Sequence, residues 1–134
     1  MDFHFDPSVS KHTSQVVTTF QTAGTLLIAL LLRLLTRGIP GRFLCYWSWG
    51  WVSLALALVS LNLSFIILPH LSEATAAWVK GPALAAYAVF EYAFGFYLWA
   101  GCRAYSKGTL LSGSDWWLFS LPAGFGLAAP VFFN

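Results

Sequence analysis

Glu91 is the residue of this 134-residue chain most able to do chemistry, because it stands alone inside an apolar run. From Pro82 to Cys102 no other Asp, Glu, Lys or Arg occurs. A carboxylate at bilayer depth costs several kcal/mol, so it must face a partner or be neutral. It is then either a group that senses protons or contacts a ligand, or a carboxyl hydrogen-bonded to a neighbouring helix.

Candidate partners follow from depth. Counted from the expected outer ends of their spans, Glu91 lies nine residues past Pro82 and Thr25 nine past Val16. Helical rise sets both about 13 Å deep. Thr18, Thr22 and Thr25 share one helical face at i, i+4 and i+7, with Gln21 beside Thr22, and Ser60, Asn62 and Ser64 fall in the outer half of the next span. Together these side chains are expected to line a small polar pocket open to the outer side. The competing expectation is a set of interhelical hydrogen bonds worth about 0.6 to 2 kcal/mol each.

Other residue types point to little chemistry. His4, His12 and His70 have no metal-ligand spacing, and Cys45 and Cys102 sit at the edges of apolar runs as expected buried thiols. There is no glycine-rich phosphate loop, nucleophile elbow or carboxylate pair in the sequence. No catalytic residue, metal or cofactor is expected.

The elements that must position these residues are membrane helices. Charged residues make up 9% of the chain and hydrophobic ones 58%, too few charges to cover a water-facing surface. Phe43 to Leu68 carries no charge at all, and that length exceeds the roughly 30 Å hydrocarbon core. The expected fold is all-α, a single membrane domain of four transmembrane helices in a bundle over about 16–35, 43–68, 82–102 and 116–133. The acidic start, with Asp2 and Asp6, argues against a cleaved signal peptide. The ending, Pro130 to Asn134 with no polar tail, suggests the leading part of a longer protein.

Orientation follows from charge. Arg33, Arg37 and Arg42 follow the first span, and Arg103 and Lys107 follow the third. The positive-inside rule makes both turns cytoplasmic, with the N-terminus and the loop near His70 and Glu73 outside. Trp47, Trp51, Trp99, Trp116 and Trp117 then lie near the cytoplasmic interface as expected anchors. Arg33, Arg37 and Arg42 should meet anionic lipid headgroups rather than nucleic acid.

The run Gly41, Arg42, Phe43, Leu44, Cys45, Tyr46, Trp47, Ser48, Trp49, Gly50, Trp51 resembles the N-terminal membrane sensor regions of bacterial GGDEF diguanylate cyclases and histidine kinases. In those regions a basic turn leads into a Tyr-Trp-x-x-Gly-Trp helix start. The segment Tyr97 to Arg103 looks like the end of a following helix in the same regions, so the resemblance covers roughly residues 15–107. It implies a signal-input module of the bacterial inner membrane, responding to a small ligand or to membrane state. Any kinase or cyclase activity would reside in a C-terminal domain outside this chain.

Two other classes compete: a small four-helix transporter or proton-coupled carrier subunit using Glu91, and a structural subunit without ligand. A second copy of the chain is a candidate partner in any of them. The orientation is checked by cysteine labelling in a background lacking Cys45 and Cys102. Ser72→Cys should react with an impermeant reagent added to intact cells and Ser112→Cys should not. The reverse pattern overturns the orientation.

Overall fold

The structure, a computed structural model, describes residues 7–132; the expectations placed on His4 and on the chain's end at Phe133 and Asn134 lie outside the described residues. Four α-helices follow one another: α1 (Pro7–Gly38), α2 (Arg42–Ile67), α3 (Glu73–Lys107) and α4 (Trp116–Phe132). Short 3-10 turns, Leu68–His70 and Gly113–Asp115, precede α3 and α4.

Local chemistry sets the boundaries. Pro40 cannot continue a helix, and α1 stops at Gly38, where the Ile39 amide still bonds the Leu35 carbonyl at 3.0 Å. Ser72 begins α3 with an extended backbone, and Glu73 puts a carboxylate on its first turn, where the helix dipole favours one. Gly108 ends α3 in the left-handed conformation at φ 64°, with its amide on the Ala104 carbonyl at 3.1 Å.

The third helix departs from its expected start. Pro82, expected to open the span, lies inside α3, which begins nine residues earlier at Glu73. Proline removes one intrahelical bond, a loss that membrane helices tolerate, and α3 runs through it.

Among the described residues three stretches are long and apolar enough to cross a membrane: His12–Gly38, Arg42–His70 and Glu73–Lys107. The fourth helix has 17 residues, or about 25 Å of rise, a little less than the hydrocarbon core. The described surface carries large apolar side chains in the open, among them Phe20, Leu31, Leu34, Leu121 and Leu127. Such a surface fits a membrane-embedded protein.

The helices pack as an open row, an arrangement that the expectation of a four-helix bundle left unspecified. α1 lies on α2, α2 on α3 and α3 on α4; among the described residues α1 does not approach α3 or α4, nor α2 α4. The buried positions are mostly small: Ala55, Ala57, Ala85, Ala93, Ala100 and Gly101. Small residues let backbones approach where there is no water to expel.

The closest fit joins α2 to α3. A Cβ on Gly101 would overlap the Trp47 indole, and one on Gly50 would stand 3.4 Å from the Phe94 carbonyl oxygen. Trp51 meets Phe94 edge to face at 5.5 Å between centroids. Trp47 and Trp51 therefore pack between helices, a role that the expectation of interfacial anchoring omits. On the other side of α3, a Cβ on Gly126 would sit 3.2 Å from the Ala88 Cβ, which brings α4 close.

Gly101→Ala should thus cost about 1–3 kcal/mol, the usual penalty for overpacking. Combining it with Trp47→Ala should recover part of that loss, because the slot then has room. Unfolding of the four proteins in detergent measures the coupling. Strictly additive losses would mean that the two residues do not share the slot.

Candidate functional site

α3 carries Glu91 on its exposed face, away from α1. Tyr87, one turn earlier on the same face, interacts with its carboxylate. The acid borders an open groove of about 350 Å³ lined by Glu91, Tyr92, Gly95, Phe96, Trp99 and Leu118. A Cβ on Gly95 would meet nothing within 4 Å, so this residue keeps the groove wide. Phe96, stacked at 5.4 Å from both Trp116 and Phe119, forms the wall toward α4.

The threonines and Asn62 gather elsewhere, between α1 and α2. Asn62 Nδ2 donates to Thr22 Oγ1 at 2.6 Å, to the Leu58 carbonyl at 3.1 Å and to the Thr18 carbonyl at 3.4 Å. Thr19 Oγ1 donates to Asn62 Oδ1 at 3.4 Å. Thr22 and Thr25 are buried, and each hydroxyl donates back to the carbonyl four residues earlier at 2.7 Å. Ser60 makes the same kind of bond to Leu56 at 2.9 Å, and Gln21 is exposed.

The expected single pocket is therefore corrected. Asn62 and Thr22 join two helices through bonds they satisfy mutually, while Glu91 faces α4 two interfaces away. Equal depth placed Thr25 and Glu91 in one layer, but a row of helices keeps them apart. Cys45 and Cys102 are also corrected: both are exposed, not buried.

A third polar group, at the basic end of α3, was not singled out by sequence reasoning. Arg103 Nη1 donates to Asp115 Oδ1 at 2.7 Å, and its Nε donates to Thr109 Oγ1 at 3.1 Å. The guanidinium carbon lies 5.3 Å from the centroid of the Trp99 ring. Asp115 Oδ2 accepts from the Ser112 amide at 2.7 Å and from its hydroxyl at 3.0 Å, and Tyr46 of α2 accepts from the Leu111 amide at 3.2 Å. One connection thus ties together α2, α3 and the start of α4. Its signal was present in the sequence: Ser112 and Asp115 are spaced as a capping box ahead of an apolar run.

The expected membrane-interface residues divide. Trp99, Trp116 and Trp117 are exposed. Arg33 lies over the Trp49 ring, 4.8 Å from its centroid, whereas Arg37 and Arg42 are exposed in the same basic turn. His12 and His70 are exposed, and among the described residues no three His, Cys, Asp or Glu side chains gather as metal ligands.

The Ser112 amide, and after it Arg103, holds the Asp115 carboxyl below the usual aspartate range. A depressed folded value contributes stability above the unfolded value, and that stability is lost as pH falls through the folded one. Asp115→Asn should therefore speed hydrogen exchange at Leu111 and Ser112 at neutral pH. Its difference from the native chain should begin to shrink below about pH 4, the ordinary aspartate range, and vanish only once pH has fallen through the lower folded value. A difference independent of pH would mean that the charge of Asp115 does not hold the turn.

Comparison with protein-family models, with curated proteins and with solved structures finds no match to this chain.

Proposed function

We propose that this chain is the membrane-embedded signal-input module of a bacterial signalling protein. All four helices cross the inner membrane, with the N-terminus outside and both basic turns in the cytoplasm. Arg33, Arg37 and Arg42 rest against anionic headgroups. The observation that carries this reading is the position of Glu91 on a groove open to the side of the row. A proton or small ligand arriving there meets a carboxylate wedged beside the α3–α4 contact, which includes Gly126 against Ala88. Occupation of the groove then shifts α4 against α3, and the tie between Arg103 and Asp115 carries that shift to the cytoplasmic end. The family resemblance of residues 41–51 and 97–103 supports the same role.

A transporter would use Glu91 too. Among the described residues no close backbone contact closes the row on itself, so that reading calls for a second copy. The signalling reading needs only the movement of one helix.

The test uses the native gene with its full coding sequence, reading second-messenger or phosphotransfer output against external pH. Tyr87 and Tyr92, both on α3, are the titratable neighbours of Glu91, and α4 contributes Leu118 to the groove. Glu91→Gln should insert at the native level and lose the response, since the amide keeps hydrogen bonds but not the ionisable group. Glu91→Asp should retain part of it. Equal responses in the native protein and Glu91→Gln, at equal expression, would leave Glu91 a packing role and overturn the proposal.

A further inference from the structure

A second groove of about 520 Å³ continues the face of α3 beyond Glu91, lined by Trp99, Cys102, Arg103, Ser106, Lys107 and Thr109. Trp99 borders both grooves, so the two meet along one side of the helix. Their chemistry changes with depth. The end at Lys107 offers two cations and two hydroxyls, the middle is aromatic, and the inner part at Gly95 is open, with Phe96 and Leu118 as apolar lining and Glu91 at its far end. From Glu91 to Arg103 the helix rises about 18 Å, close to the roughly 15 Å depth of one leaflet's hydrocarbon.

We propose that this face is a binding site for an anionic phospholipid. Its phosphate lies between Lys107 and Arg103, and one acyl chain runs past Trp99 along Gly95 toward Glu91. Charge complementarity selects this occupant. Arg103 spends Nη1 on Asp115 and Nε on Thr109, and no described contact uses its Nη2. Lys107 makes no ion pair among the described residues. Two cations against the one carboxylate of Asp115 leave a single positive charge, which a phosphodiester would neutralise. Asp115 and Thr109 fix the guanidinium over Trp99, so the site is set before the lipid arrives. A second protein helix would need an acidic side chain at this level, whereas a membrane supplies the phosphate from every neighbouring lipid. The proposal does not rest on the signalling reading, because a transporter or a structural subunit would bind the same lipid.

The test places the chain in phosphatidylcholine vesicles carrying a trace of spin-labelled phosphatidylglycerol or spin-labelled phosphatidylcholine. Electron paramagnetic resonance then reads the motionally restricted fraction. The native chain should restrict phosphatidylglycerol in clear preference to phosphatidylcholine. Lys107→Gln should reduce that preference about fivefold, the weight of one cation near an anionic lipid. Lys107→Arg should keep it. Gly95→Leu has open space around its Cβ, so it should fold with unchanged helical circular dichroism while blocking the chain's path and lowering the restricted fraction. Lys80→Gln, near the opposite end of α3, should change the preference far less than Lys107→Gln. Preference retained in Lys107→Gln overturns the headgroup site. Equal losses in Lys80→Gln and Lys107→Gln would show general surface attraction only, and an unchanged restricted fraction in folded Gly95→Leu would remove the acyl groove.

Discussion

Helices in this chain can come together only where their surfaces are thin. Lipid tails are as apolar as leucine, so there is no water-driven gain from burying leucines between helices, and association depends on close packing and on polar bonds. The contact of Trp47 with Gly101 meets that condition most fully. The indole fills a slot that exists because residue 101 has no side chain, and Gly50 opens a matching approach one turn along α2. With α2 and α3 held in this way, α1 is left to add to the free face of α2 and α4 to that of α3. The row follows from that central pair.

Two of the three junctions in the row carry a polar device. Between α1 and α2, Asn62 and Thr22 bond side chain to side chain. At the basic end, Arg103 and Asp115 close the α3–α4 connection, with Tyr46 reaching across from α2. In those two the donors and acceptors largely satisfy one another, as structural bonds in a low-dielectric setting must. Glu91 differs: among the described residues it is Tyr87 of its own helix that engages it, and it faces outward over a groove. A costly group left without a partner from another helix is where function is most economically sought.

The aromatic residues divide between two tasks that the sequence merges. Trp99, Trp116 and Trp117 stay exposed, whereas Trp47 and Trp51 turn toward α3. All of them cluster near the basic end of the molecule, and linear position alone treats them alike. Which tryptophan packs is decided by the helix opposite it: Gly101 offers space to Trp47, and Phe94 offers an edge to Trp51.

By itself the sequence determined the all-helical character, the presence of apolar stretches of membrane length and the grouping of cations in two turns, because each depends only on composition and on order along the chain; it counted four spans where the described helices include three long and apolar enough to cross. Helix ends are set where a residue type dictates backbone geometry, as at Pro40 and Gly108, whereas the expected start at Pro82 falls nine residues inside α3, because a proline removes only one intrahelical bond and the helix runs through it. Asn62 and Thr22 were recognisable as polar residues at related depth, but their meeting required α1 to lie on α2. The separation of Glu91 from them, and its pairing with Gly95 and Trp99 in a lateral groove, were decided only by the tertiary structure. Depth along a helix is one coordinate and can be counted from sequence; the direction a residue faces around a row of helices is another, set by which neighbours the small residues admit.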